Sequence, residues 1–599
     1  MKLIFTFLLI LISSGHLIGQ NATENLKVFA RAYGYVKYFH PSTENKDIDW
    51  NKFSAYGANQ IFECKNQEEL VETLNKLFIP IGPNILFSNS ENNFKDGNSE
   101  PINPEEYDVT YWQHLGVARD MLYENHQRAL YKSVLVNQSK LVDDSTTIVA
   151  EPIFEEFPKI EEYIKEELGD SVFISMPLSL YIKDDQTYPK SNEIIELVDK
   201  IESFEIDSTS LAMRIGNVIN IYNVIQHFYP YFEEVDVDWA KELKVALQQC
   251  FMDETVEDHE TTLQRYTASI KDGHVWMWQG YTPFKNYPEF HWDWIEDSLV
   301  ITQVLNDSLQ LNIGDVVTHI NGKSSEEHFE EVYSRISYPT DGFRNFKAKT
   351  ISYAGQKNST LAITIAGKLY QIKRKLDIKQ LGKSETIEIQ KYEHKKISED
   401  IIYLNISSIT YDSIKTIFHE LETAKGIICD FRGYTWGNSN FISHLTKENL
   451  KSDPYKFIMG TIYPNQENNK ISWENNTEIE AAEPFLGDKE VVFIIDGRTV
   501  SAAEDYLLPI KHFDLATIIG ENSAGTNGNR NGFKLLGDYT MWWTGMKITQ
   551  LDGSQFHSVG IIPDVILERS INGVRSGKDE FLYKAIEIIK EKIPAANNR

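Results

Sequence analysis

The sequence predicts a multidomain chain of α/β and α+β units, closing in an α/β domain with a mostly parallel sheet. Three observations lead there. From about residue 380 onward, short apolar runs alternate with helical stretches. Near the start, one pattern of aromatic and acidic residues returns 189 positions later (230 − 41). The chain has 599 residues, too many for one hydrophobic core, and roughly 100–200 residues per domain gives about three or four domains.

Taken in order, residues 1–20 read MKLIFTFLLILISSGHLIGQ, with Lys2, an apolar stretch Leu3–Ile12, then small and polar residues before Asn21. This is the pattern of a secretory signal peptide cleaved near Gly19 or Gln20, so the protein is expected to be exported, to the periplasm or outside the cell. No later segment approaches 18 apolar residues, and no membrane span is expected in the mature protein.

The repeat pairs Tyr38-Phe39-His40-Pro41 and Asp47-Ile48-Asp49-Trp50 with His227-Phe228-Tyr229-Pro230 and Asp236-Val237-Asp238-Trp239. Leu74 and Leu263, and Ile81 and Ile270, keep the same register. Val218, Tyr222, Ile225 and Phe228 fall at helical spacing, so duplicated helical units are expected over 21–90 and 206–285. Between them, 91–205 has β-like runs at Ser133–Val136 and Val172–Ser175 and an acidic, helix-like stretch at Phe154–Leu168, which suggests a mixed α+β module.

Residues 290–378 form the next unit. Gly314-Asp315 is a turn, Val316–Ile320 a strand and Asn321-Gly322 a hairpin turn, so a small β domain is expected. Over 380–599 the expected strands are Ile401–Leu404, Gly426–Phe431, Val491–Ile495 and Ala516–Gly520. The expected helices are Ser413–Leu421, Asn438–Leu445, Ala502–Ile510 and Glu580–Lys590.

Composition narrows the function. With 59 basic and 88 acidic residues the net charge is −29, which sets nucleic acid aside as a partner. Cys64, Cys250 and Cys429 form no CxxC or Cys/His pattern, so no metal, cofactor or disulfide framework is expected. Trp276, Trp278, Trp292 and Trp294 suggest a glycan-binding surface, but packing between the second helical unit and the β domain is the favoured reading.

The sharpest chemical feature is Val491–Glu504. A buried strand ends at Asp496, Gly497 permits a tight turn, and a helix starts at Ser501. A hydroxyl there faces free N–H groups and the positive end of the helix dipole, which favours developing negative charge. The Ala502 N–H is placed to hold half of an oxyanion. An ordinary helix-capping serine is the competing reading. Two further loops follow buried strands: Asp430-Phe431-Arg432-Gly433-Tyr434-Thr435-Trp436-Gly437, and Gly520–Thr526. A closing segment, Gly560-Ile561-Ile562-Pro563-Asp564, comes last.

In this order the four elements resemble those of the C-terminal processing (tail-specific) serine peptidases and their tricorn-like and retinoid-binding-protein-like relatives. The segment Leu311–Lys323 resembles a PDZ domain, which accepts a peptide terminus by strand addition. The resemblance implies a crotonase-like, tail-specific protease core preceded by a PDZ-like domain. It also implies a peptide or protein substrate, engaged through its C-terminus. Ser501 is then the nucleophile, and Ala502 and Gly437 supply the oxyanion N–H groups.

The Ser–Lys branch carries a lysine where this chain has Thr526, so the Ser–His branch is the better match, and His274 in Lys271-Asp272-Gly273-His274-Val275-Trp276 becomes the general base. Glu504 is the leading third catalytic group, with Asp272 and His557 as alternatives. Tyr434, Thr435 and Trp436 depart from the glycine-rich family loop. Thr526, Trp436 and the lack of an acid near His557 favour the alternative of a weak or inactive peptide- or ligand-binding protein on the same scaffold.

Overall fold

The computed structural model describes residues 2–94, 100–122, 130–137, 152–279, 285–384, 387–434 and 438–593. Two helical trios open the molecule: Lys2–Phe39, Trp50–Phe62 and Gln67–Phe78, then Leu211–Phe228, Trp239–Cys250 and Val256–Ala268. Their second and third helices begin 189 residues apart (239 − 50 and 256 − 67). The same positions cap both copies: Asp49 and Asp238 each accept an N–H from three residues on, as do Asn66 and Thr255.

The two trios are not separate bodies. They share one core in which Phe29, Tyr33 and Phe53 pack with Ile219, Tyr222 and Trp239, and the Tyr33 hydroxyl donates to buried Asn220 at 2.7 Å. Each copy has an apolar helix face that its duplicate covers.

The expected module at 91–205 does not stand alone either. Leu86–Ser88, Val172–Pro177 and Tyr163–Gly169 form a three-stranded sheet whose buried residues join the helical core. Asp108–Leu115 joins a different sheet, pairing with Lys456–Thr461 from the C-terminal part at His114↔Thr461. The helix expected at Phe154–Leu168 is absent. Pro158 lacks the N–H a helix would need, and Tyr163–Gly169 pairs antiparallel with Val172–Pro177 instead.

Next comes an antiparallel sheet in the order Phe290–Ile295, Ser298–Val304, Val316–Ile320, Thr360–Ile365, Lys368–Lys373. Asn321 (φ 49°) and Gly322 (φ 88°) make the hairpin turn at positive φ, which Asn and Gly tolerate. Trp292 is fully buried in this unit and Trp294 packs against the same core. Trp276 and Trp278, in contrast, are 59% and 55% exposed, so the packing expected for them is not found.

The last region holds a six-stranded sheet ordered His394–Lys396, Ile401–Asn405, Gly426–Asp430, Glu490–Ile495, Thr517–Gly520, Val565–Ile566. Only its first pair is antiparallel. The central strands are buried on both faces, as apolar runs in a parallel sheet require. Asn438–Leu445 is a tight 3-10 segment from Ser439, not an α-helix. No helix among the described residues is long and apolar enough to cross a membrane.

Candidate functional site

The carboxyl ends of the parallel strands deliver three loops to one place, the usual location of a site in such sheets. After Glu490–Ile495 the chain turns through Asp496-Gly497. A Cβ on Gly497 would lie 2.2 Å from the backbone of Gly342, so only glycine lets the helix Asp341–Ser352 approach this turn. Thr340, which caps that helix, also donates its hydroxyl to the carbonyls of Ser523 and Ala524, at 3.0 and 3.1 Å.

Ser501 sits at φ 57°, ψ −115°, a conformation rare for any residue but glycine. Its side chain makes no capping hydrogen bond, although the helix Ala502–His512 begins right after it. Glu504, three residues on, accepts the Ser501 N–H at 2.9 Å in a capping-box arrangement, so Ser501 also stands as the N-cap of this helix. Strain of this kind on a strand–turn–helix is how a nucleophile is held out from the backbone. Among the described residues no hydrogen bond is made by the Ala502 N–H. A cavity of about 610 Å³ opens beside Ala502, lined by Ile442, Ser443, Lys456, Thr477 and Tyr506 among others. Gly437, the other expected oxyanion donor, lies outside the described residues, as do Thr435 and Trp436.

Glu504 is fully buried and holds the turn together. One carboxylate oxygen accepts from the Ser523 hydroxyl (2.5 Å) and the Gly525 N–H (2.7 Å); the other accepts from the N–H groups of Ser501 (2.9 Å) and Thr526 (3.3 Å). Burial pushes its pKa up to about 8 against the pull of those donors. None of its partners is His274, so the structure does not support its expected place as the group that orients the histidine.

Thr526, standing where a lysine base would be, joins the nucleophile turn to the histidine loop. Its carbonyl accepts the Ser501 N–H at 3.0 Å, and its hydroxyl accepts the Gly273 N–H at 2.9 Å. The next residue is His274. Its Nδ1 lies 2.9 Å from the Thr544 hydroxyl, which donates to Asp272 at 2.7 Å. Asp272 is fully buried and also accepts the Thr544 and His274 N–H groups, at 2.7 and 2.9 Å.

A threonine hydroxyl has one proton. With that proton donated in the hydrogen bond to Asp272, the Thr544 oxygen accepts from Nδ1–H, and Nε2 keeps a free lone pair. His274 retains some accessible surface, but surrounding protein, then the charges of Arg530 and Lys347, push its pKa down to about 3. The imidazole is thus neutral near pH 7.

His557, the other alternative, stacks on Tyr231 at 4.0 Å and its Nε2 lies 3.4 Å from the Tyr229 hydroxyl. Sequence reasoning missed Thr544, an ordinary β-forming residue until strand pairing sets it beside Asp272. The expected absence of metal ligands also needs refinement. Cys250, Asp253 and His259 bring three ligand-type atoms within 4.8 Å of one another. Asn217 and Thr262 contact this group, and the Arg214 guanidinium bonds the Cys250 carbonyl.

Residues 400–567 match the sequence profile of Peptidase family S41. No curated protein matches the chain. The solved structure of mature CPAF complexed with lactacystin is similar at a TM-score of 0.52 and 12% identity, over 64% of this chain and 98% of that one. Mature CPAF alone gives 0.52 and 12%, over 63% and 97%. A putative peptidase from Parabacteroides merdae gives 0.39 and 12%, over 63% and 96%. At such identity the likeness to CPAF speaks for the fold, a multidomain α/β protease fold.

Proposed function

With an S41 domain of the C-terminal processing peptidase family at residues 400–567, the chain is a serine-type peptidase, and we propose that Ser501, His274, Thr544 and Asp272 form its catalytic chain. The observation that carries this reading is the Asp272–Thr544–His274 hydrogen-bond series, tied to Ser501 through Thr526.

The Ser501 Oγ attacks a peptide carbonyl carbon while its proton passes to His274 Nε2. The carbonyl oxygen becomes an oxyanion held by the Ala502 N–H, with Gly437 as second donor. As the C–N bond breaks, the imidazolium gives its proton to the leaving amine. A water then loses a proton to His274 and attacks the acyl-serine, and that proton returns to the Ser501 oxygen as the acid departs. Thr544 and Asp272 act through the imidazole by fixing its tautomer. Glu504 is a positioning residue that holds the turn.

The antiparallel unit over residues 290–378 serves as a PDZ-like domain that presents the substrate, on a crotonase-like core. The protein works after export, its signal peptide removed. Purified mature protein is expected to hydrolyse peptides, with kcat/KM falling roughly 10³-fold or more in both Ser501→Ala and His274→Ala. Hydrolysis unchanged in either variant overturns the assignment.

A further inference from the structure

The strand Trp276–Gln279, two residues past His274, is the edge of a four-stranded sheet whose interior neighbour is Tyr539–Thr544. Met277 and Gln279 point inward, while Trp276 and Trp278 share the open face. Two cations flank these rings. The Lys347 ammonium lies 5.6 Å from the Trp276 ring centre, and the Arg530 guanidinium lies 5.5 Å from that of Trp542, the cross-strand partner of Trp276. Both are near enough to His274 for their charge to disfavour its protonation.

Lys347 has no carboxylate partner among the described residues, in a chain with 88 acidic side chains. A half-buried ammonium without a counter-charge, beside exposed tryptophans, is suited to an anionic, partly apolar ligand. Among the described residues no further strand pairs with this edge, which therefore offers backbone groups to an extended chain.

We propose that this surface is a substrate subsite: a peptide lies along the edge of Trp276–Gln279, apolar side chains rest on Trp276 and Trp278, and a carboxylate meets Lys347 with Arg530 behind it. The inference rests on the peptidase reading above. The carboxylate is either the peptide's C-terminus or an acidic side chain, and both offer the same chemistry to the ammonium.

The test uses the full mature protein as Ser501→Ala, titrated by tryptophan fluorescence with three peptides of one apolar sequence. The first has a free C-terminus, the second is amidated, and the third is amidated with one internal glutamate. Binding of the first or third is expected to be about 10-fold tighter than the second, and which of them gains identifies the carboxylate. Adding Lys347→Gln is expected to erase the preference, and Trp278→Ala to weaken all peptides together.

Equal binding of all three peptides overturns the proposal, as does a preference that survives Lys347→Gln. Binding of a neutral oligosaccharide in place of peptide also overturns it. Hydrolysis by the Ser501 enzyme is measured separately. Turnover without carboxylate preference sinks only the subsite, whereas carboxylate preference without turnover sinks only the peptidase mechanism.

Discussion

Residue types alone do not make Ser501 and His274 special; their surroundings do. The serine is held at φ 57° by a turn that Glu504 pins through four donors. The histidine is held neutral, with a pKa near 3. Its depressed value sets a clear pH expectation. A free imidazole becomes half protonated near pH 6.5, but His274 should stay a base well below that. The acid limb of kcat/KM is therefore expected below pH 6.5, read from pH–rate profiles under first-order conditions. An acid limb at or above 6.5 contradicts the burial described. The strand–turn–helix that carries Ser501 and Ala502 was legible because strand, glycine and helix follow one another in sequence. Thr544 was not, since it stands 270 residues from His274 (544 − 274).

At the scale of elements, the site depends on how the helix Asp341–Ser352 docks. Thr340 caps the helix and bonds two carbonyls of the loop that carries Thr526. Thr340→Ala is expected to cost about 1–2 kcal/mol, as cap losses do, and to lower activity because the loop loses both bonds. Denaturant melts and peptide turnover check both effects. A variant of unchanged stability and rate would show that the docking is unimportant.

Arg432 has a similar role at the far side. It pairs with buried Asp430 at 2.7 Å and with Asp579 at 2.8 Å, tying the family-like loop to the cap of the C-terminal helix Glu580–Lys592. The parallel strands matched their sequence reading within about one residue, because strands buried on both faces appear as unbroken apolar runs. The stretch Phe154–Leu168 misled because its acidic composition favours helices, while its partner strand overrode that preference.

Across the whole molecule, units that look separate in sequence interlock. Tyr231 donates to the Met546 carbonyl, and Asn217 bonds Leu536, so the helical trios are joined to the strands that carry Thr544. Such pairings leave no local sequence signal, and domain boundaries at 205 and 380 do not foresee them. The helical core also buries histidines. His40 and His227 have pKa values lowered to about 3, His114 to about 4, and His557 and His274 to about 3, mainly by burial.

In the unfolded chain these imidazoles take up protons near pH 6.5. The unfolded state thus binds more protons between 6.5 and 3, and stability falls as pH drops through that window. The contribution is fully present above pH 6.5. A tenfold loss of proton affinity on folding is worth about 1.4 kcal/mol, and whole proteins hold about 5–15 kcal/mol, so unfolding is expected well before pH 3. Calorimetry from pH 7 to pH 4 should show a steadily falling Tm. A Tm unchanged over that range contradicts neutral, buried imidazoles.

The proposed mechanism activates Ser501 through His274, Thr544 and Asp272. Its most direct test is the rate of labelling by a fluorophosphonate probe, with the modified residue located by mass spectrometry, in the mature protein and in Thr544→Val and Asp272→Asn. The expected result is label on Ser501 alone, slowed roughly 10²-fold or more in both variants, as loss of a correctly held tautomer should do. Labelling elsewhere, or labelling of Ser501 at an unchanged rate in both variants, would contradict it.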